Sequence, residues 1–131
     1  VLFGDAAGAA DFCKWVEDVL VDVINMTKEK MEKYYDEHVT DTMCRNELYK
    51  KYYMDTIIED TSAVAGLELI RRIVGMANVK DITTIADEAK RARAEKICIT
   101  AAIDFIKNRS DKKCGKCFLK TLKDAIAEVD A

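Results

Sequence analysis

Apolar side chains recur every three or four residues along most of the chain, the spacing that places them on one face of an α-helix. Asp11 is a good cap for the first such run, which extends to about Glu37. Thr40 or Asp41 begins a second run, ending near Asp60. Thr61 and Ser62 are good caps for a short, very apolar third run, with Gly75 and Asn78 marking its exit. The pattern predicts three consecutive helices.

Two further runs complete the chain. The fourth begins between Asp81 and Thr84, where Thr84 and Asp87 have the spacing of a capping box, and it extends to about Asn108. Asp111 caps the fifth, which continues nearly to the end of the chain. The chain contains no proline and only five glycines, so few residues interrupt these helices. With short connections, the sequence predicts an all-α fold, a five-helix up-and-down bundle.

The size and composition indicate one domain. The chain has 131 residues, half of them hydrophobic, and we expect a single helical domain over 1–131 with a flexible N-terminal segment over 1–10. No apolar run approaches the roughly 20 residues that a membrane-spanning helix needs. The first dozen residues lack the charged start and apolar stretch of a signal peptide, so we expect a mature, soluble product.

The five cysteines suggest disulfides at one end of this bundle. With a rise of ~1.5 Å per residue, Cys13 lies near the bottom of the first helix and Cys44 lies roughly 30 Å above it. Cys98, Cys114 and Cys117 return to the bottom once the chain has passed down, up and down again. We therefore predict two bridges that join Cys13 and Cys98 to Cys114 and Cys117 in either order, with Cys98–Cys117 and Cys13–Cys114 preferred.

Cys44 is left over by this pairing. It is predicted to be a buried thiol on an apolar stripe, or alternatively the site of a covalent dimer. The predicted disulfides favour an oxidising compartment, and Asn25 and Asn108 each begin a sequence that matches the N-glycosylation pattern. Together these features predict a secreted glycoprotein.

Signs of enzymatic chemistry are few. The Cys114-Gly115-Lys116-Cys117 motif permits a thiol–disulfide redox protein as a minor alternative, although the strands of a thioredoxin-like fold are absent from the pattern. Zinc is disfavoured because His38 is the only histidine and lies near the opposite end. The chain has no Gly-rich phosphate loop, nucleophile elbow or histidine-containing triad. We therefore expect a protein that is not an enzyme, without catalytic residues, metal or cofactor.

Charge is distributed unevenly along the chain. Residues 1–60 hold fourteen acidic residues against seven Lys or Arg, whereas residues 61–131 hold ten against fourteen. The basic residues concentrate around the start of the last helix, where unpaired N–H groups also attract anions. This predicted basic patch consists of Lys107, Arg109, Lys112, Lys113, Lys116, Lys120 and Lys123. It is either an anion site or a solvated surface, and specific nucleic-acid binding is not indicated.

Tyrosines gather at the other end, around the first turn between helices. Consecutive pairs span too wide an arc of a helix for every ring to be buried, so some are exposed. We predict either a protein-binding patch or half-buried packing, with Trp15 as a further anchor of the patch. The candidate residues are Tyr34, Tyr35, Tyr49, Tyr52 and Tyr53.

Two functions are compatible with these features. The preferred one is a secreted, non-enzymatic binding protein that engages an extracellular protein partner as an inhibitor or modulator. The alternative is a carrier that encloses a small hydrophobic ligand such as a lipid, with the methionines as adaptable lining.

Overall fold

The computed structural model describes residues 8–131, and within them the regular secondary structure is all helical, with no strand. The helices are α1 (Ala9–His38), α2 (Glu47–Ile73), α3 (Lys80–Thr83), α4 (Glu88–Lys107) and α5 (Gly115–Asp130), with a 3-10 turn over Arg109–Asp111. The prediction of an all-α fold with five helices is confirmed. The flexible segment predicted over 1–10 lies largely outside the described residues, and Ala9 already belongs to α1.

The connection between α1 and α2 is longer than predicted. The side chain of Asp41 accepts hydrogen bonds from the N–H groups of Met43 (2.8 Å) and Cys44 (3.3 Å), which forms a turn instead of a helix start. The cap of α2 is Asn46, whose side chain accepts from the N–H groups of Leu48 and Tyr49. Cys44 therefore lies in the turn and not on a helical stripe.

The second and third predicted helices are one continuous helix, so the prediction of a break at Thr61 and Ser62 is wrong. The Thr61 hydroxyl donates to the carbonyl of Ile57 at 2.8 Å, and the fully buried Ser62 donates to the carbonyl of Phe105 at 2.9 Å. Hydroxyls that bond in this way do not cap a helix. The fifth helix in the count is instead the four-residue α3.

The last two long helices begin later than predicted. Thr84 donates its hydroxyl to the carbonyl of Lys80 at 2.6 Å, so it forms no capping box, and Asp87 caps α4 by accepting from Ala89 and Lys90. Asp111 belongs to the 3-10 turn, and Cys114 is the residue that precedes α5.

The four long helices run antiparallel to their neighbours. Along α1 and α2, Asp36 pairs with Lys50 and the earlier Lys28 pairs with the later Asp55. The α2 residue Gly66 lies against Ala102 and Phe105 of α4. Between α4 and α5, Phe105 and Phe118 have ring centroids 5.3 Å apart. The core that these helices share includes Ile24, Ile58, Ile97, Ala101, Phe105, Phe118 and Ala125.

The first helix meets both α2 and α5. Near its beginning Glu17 pairs with Lys123 at 2.7 Å, and farther along Asn25 accepts a hydrogen bond from the N–H of Gly115 at 2.9 Å. A side chain on Gly115 would collide with the backbone of Val21. The start of α5 is therefore fixed against the middle of α1.

The predicted disulfide staple is wrong, because no two cysteines lie at disulfide distance. The height calculation assumed a reversal of direction at Thr61 that the continuous α2 removes. Cys114 and Cys117 begin α5 beside Val21 and Asn25, about 12 Å along α1 from Cys13 at 1.5 Å per residue. Cys98 lies farther along the α4–α5 interface, beside Leu119 and Leu122. The four cysteines therefore do not converge.

Candidate functional site

A cavity of about 620 Å³ lies between the end of α1 and the beginning of α2. It brings together four of the five tyrosines that the sequence predicts as a patch, and Tyr52 is not among the residues that line it. The residues that line it are Thr27, Lys30, Met31, Tyr34, Tyr35, Val39, Cys44, Tyr49, Tyr53 and Met54. The clustering of the rings is as expected, and their role as a partner surface stays a prediction.

The tyrosines of this cavity differ in how firmly they are held. Tyr35 is buried and donates its hydroxyl to the carbonyl of Cys44 at 2.7 Å, and burial raises the pKa of its phenol. Its ring lies 5.7 Å from that of Tyr53, which stacks with Tyr49 at 6.4 Å. Tyr34 is exposed and stacks on His38 at 3.9 Å. Tyr35, Tyr49 and Tyr53 thus form a packed side of the cavity, and Tyr34 lies on its solvent-exposed side.

Trp15 does not belong to this cluster. It lies on α1 nineteen residues before Tyr34, about 28 Å along the helix at 1.5 Å per residue. Its ring is exposed and lies 5.8 Å from the ring of Phe12. Trp15 and the tyrosines therefore cannot anchor one compact partner surface.

The predicted basic patch is largely paired with carboxylates. Five of its seven residues form ion pairs: Arg109 with Asp60, Lys112 with Asp104, Lys113 with Glu59, Lys120 with Asp124, and Lys123 with Glu17. Lys123 joins α5 to α1, the pair of Lys120 lies within α5, and the other three residues join the connection between α4 and α5 to α2 or α4. The basic residues thus hold helices together, and the anion site that they were predicted to form stays a prediction.

Asp104 is the best connected of these carboxylates. Its oxygens accept hydrogen bonds from Asn108 and Lys112 at 2.6 Å and from the Thr121 hydroxyl at 2.7 Å. Partial burial opposes ionisation, but these three donors lower the pKa of the Asp104 carboxyl to about 2. The cluster ties α4, the connection that follows it and α5 together.

Two cysteines of the predicted staple do meet each other. The sulfur atoms of Cys114 and Cys117 lie 3.2 Å apart at the start of α5, and both residues are half-buried. Burial acts against ionisation of Cys117, yet the hydrogen bond from Cys114 and backbone N–H groups, together with the charge of Lys112, lowers its pKa. Burial raises the pKa of Cys98.

A pair of arginines at the end of α2 is absent from the sequence-based predictions. Arg71 donates through Nε and Nη2 to the two carboxylate oxygens of Glu68 at 3.1 and 2.7 Å, and Arg72 lies 3.6 Å from the same carboxylate. The hydrogen bond from Arg71 lowers the pKa of Glu68. Both guanidinium groups are about half exposed. The signal was two adjacent arginines in an otherwise apolar stretch.

The remaining candidate positions are occupied by structural hydrogen bonds. The side chain of Asn25, in the middle of α1, accepts from Gly115 of α5, and that of Asn108 donates to Asp104 at the end of α4. Glycosylation at these two positions stays a prediction. Within residues 8–131 no group of three or more His, Cys, Asp or Glu side chains is arranged to hold a metal ion. No helix in the described part of the chain has the length and apolarity to cross a membrane.

Comparison with known proteins relates the chain to kinases. It is 27% identical over 110 residues to methylthioribose kinase 1 of Oryza sativa subsp. japonica, a match that covers 73% of the chain and 25% of the relative. The methylthioribose kinase of Bacillus pumilus is 29% identical over 90 residues (69% and 23%), and that of Escherichia coli is 26% identical over 109 residues (76% and 26%). The chain spans about a quarter of the length of these relatives. No family model and no solved structure matches it significantly.

These relatives overturn the function predicted from the sequence. A secreted, non-enzymatic inhibitor or modulator, a lipid carrier and a redox protein are all at odds with a consistent similarity to kinases. The expectation that the protein is not an enzyme is wrong as well. The disulfide argument that favoured secretion fails on the structure. Because the chain spans only about a quarter of these relatives, the lack of enzyme motifs in it carried no weight against an enzyme.

Proposed function

We propose that the chain is a helical region of a kinase that phosphorylates methylthioribose. The observation that carries this proposal is the match to methylthioribose kinases of a plant and of bacteria, which extends over 69% to 76% of the chain. Because the match covers about a quarter of each relative, the proposal assigns to these residues a part of such an enzyme.

The surface of the chain supports this assignment. Several large apolar side chains are unusually open: Leu48 is 79% exposed, Val74 70% and Met76 102%. Burial of apolar surface is favourable, so these side chains would gain stability if a further part of a larger protein covered them. Exposed apolar residues near both ends of α2 are what we expect of a region that packs against further parts of a larger protein.

The arginine pair is the part of the chain best suited to contribute to phosphoryl transfer. Kinases stabilise the transferred group mainly by position and by cationic side chains, and a guanidinium presents a planar set of donors that fits phosphate oxygens. Arg71 and Arg72 are adjacent, partly exposed and oriented by Glu68. We assign to them the contact with phosphate in the proposed enzyme.

The test uses the complete coding sequence from which the chain comes. The purified protein is incubated with ATP, magnesium and methylthioribose, and ADP release is measured beside a reaction with ribose. We expect ADP release that depends on methylthioribose and is much weaker with ribose. A folded protein that releases no ADP in response to methylthioribose would refute the proposed function.

The arginine pair is tested in the same assay. Arg71→Lys and Arg72→Lys keep the charge but lose the planar donors, and we expect each to reduce kcat by about 10- to 1000-fold. Arg109→Lys is the matched control, because Arg109 is similarly exposed and also pairs with a carboxylate of α2. That carboxylate, Asp60, lies eleven residues before Arg71. Equal effects at all three positions would contradict the role of the pair.

A further inference from the structure

The start of α5 presents two thiols in reactive geometry. Cys114 occupies the cap position and Cys117 the third helical position, and their sulfur atoms are 3.2 Å apart. The N–H of Gly115, between them, is held by the side chain of Asn25 at 2.9 Å. The two sulfurs therefore face each other on a fixed backbone, and both residues remain partly accessible to solvent.

The surroundings favour a thiolate on Cys117. Backbone N–H groups at the start of a helix and a nearby ammonium group stabilise negative charge on sulfur. Here the hydrogen-bond donors come from the backbone and from Cys114, and the positive charge comes from Lys112. Cys98 lies in apolar surroundings beside Glu95, and both burial and this carboxylate oppose its ionisation. Cys117 is therefore activated for thiol exchange, and Cys98 is an unactivated thiol in the same chain with which its reactivity can be compared.

We propose that Cys114 and Cys117 are a reversible modification site, at which exchange with a low-molecular-weight disulfide such as oxidised glutathione forms a disulfide within the first turn of α5. This bond differs from the predicted staple, because it closes within a single helical turn and links no helices. It concerns the chemical state of the chain and does not depend on the proposed kinase function.

The exchange is balanced in two steps. The Cys117 thiolate attacks one sulfur of oxidised glutathione, which forms a mixed disulfide and releases one glutathione thiolate. Cys114, after losing its proton to solvent, attacks the Cys117 sulfur and releases the second glutathione thiolate, which takes up a proton. The two cysteine thiols lose two electrons, and one glutathione disulfide gains them. Excess reduced glutathione reverses both steps.

The sequence makes the product easy to identify. Lys113, Lys116 and Lys120 place trypsin cleavage sites on both sides of each cysteine, so Cys114 and Cys117 fall in separate peptides, 114–116 and 117–120. The reduced chain is equilibrated with a series of glutathione redox buffers, the thiols are blocked with an alkylating reagent, and the digest is analysed by mass spectrometry. We expect the two peptides to be linked in oxidising buffers and separate after reduction.

Single variants separate the roles of the two sulfurs. Cys114→Ser removes the attacking thiol of the second step, so a glutathione adduct on Cys117 should accumulate. Cys117→Ser should form adducts several-fold more slowly, because the activated thiol is missing. Cys98→Ser is the control, and it should leave formation of the Cys114–Cys117 bond unchanged. Circular dichroism verifies that each variant is folded.

Several outcomes would overturn the proposal. One is a disulfide that involves Cys13, Cys44 or Cys98 in place of the bond between Cys114 and Cys117. A second is a glutathione adduct on the unaltered chain that is never converted to that bond. A third is an equal rate of reaction for Cys98 and Cys117. Because the measurement is made on the thiols themselves, its failure would leave the kinase assay unaffected.

Discussion

Gly66 provides the sharpest test of how closely α2 and α4 pack. A methyl group added at this position would lie 2.7 Å from the carbonyl oxygen of Ala102, 2.8 Å from Cγ1 of Ile106 and 3.2 Å from Cβ of Phe105. Ordinary contacts begin at about 3.4 Å. The Ile106 side chain can rotate away, but the Ala102 oxygen belongs to the backbone of α4. Gly66→Ala therefore forces the helices apart by roughly 0.5–0.7 Å.

Three effects, two destabilising and one stabilising, set the size of the change in unfolding free energy. Overfilling a packed interface costs about 1–3 kcal/mol. One turn earlier, the Ser62 hydrogen bond to Phe105 spans the same interface, and its loss costs about 1 kcal/mol. Alanine in place of a helical glycine returns about 1 kcal/mol. We expect the free energy of unfolding to fall by about 1–3 kcal/mol, whereas a glycine-to-alanine substitution at an open helical position would raise it.

Urea unfolding followed by far-ultraviolet circular dichroism measures this change. With an m-value of about 2 kcal/mol/M, the midpoint should fall by roughly 0.5–1.5 M without a change in m. The double variant Gly66→Ala/Ile106→Ala relieves the side-chain contact and not the backbone contact, so it should recover none of the loss. A midpoint that stays the same or rises in Gly66→Ala would refute the close approach of the two helices.

Two further predictions concern the packing of α5 against its neighbours. The Asp104 carboxyl has a pKa of about 2 in the folded protein, below its ordinary value, so its ionised form stabilises the fold above about pH 4 and this contribution is lost as the pH falls towards 2. The Asp104 side chain is 35% exposed, so solvent screens part of this effect, and we expect Asp104→Asn to lower the free energy of unfolding by about 1–2 kcal/mol at pH 7. The difference from the unaltered protein should shrink as the pH falls towards 2, which urea unfolding across this range measures. A difference that does not change with pH would count against the cluster. Gly115→Ala would place a methyl group 2.7 Å from Cα of Val21 and against its carbonyl oxygen, so thermal unfolding should occur several degrees lower, and an unchanged Tm would show that α5 does not rest on α1 there.

The distribution of helices could largely be predicted from local pattern, and their boundaries only in part. Apolar spacing and the lack of proline were sufficient for an all-α fold, because amphipathic periodicity is a property of each segment alone. The break at Thr61 could not be judged in this way. A serine or threonine hydroxyl can cap a helix or bond to a carbonyl, and for Ser62 the decisive partner, Phe105, is 43 residues away.

The candidate sites divide along the same line. The tyrosines flank one helical turn in sequence, so their clustering followed from short-range geometry, whereas Trp15 is separated from them by most of α1. Most basic residues near α5 looked like an anion surface until the fold brought Glu17, Glu59 and Asp60 to them. The sequence shows where the basic residues cluster, but the carboxylates that neutralise them come from helices far away in the chain.

The cysteines show most clearly what the sequence determined and what the tertiary structure determined. The sequence by itself determined that Cys114 and Cys117 stand three residues apart at a helix start, which is enough to bring two sulfurs together. Whether Cys13 and Cys98 join them depended on the number of chain reversals and on where α5 rests along α1. Those features are set by the Gly115–Val21 contact and by the continuity of α2, which only the tertiary structure decided, because each depends on backbone atoms far apart in the chain.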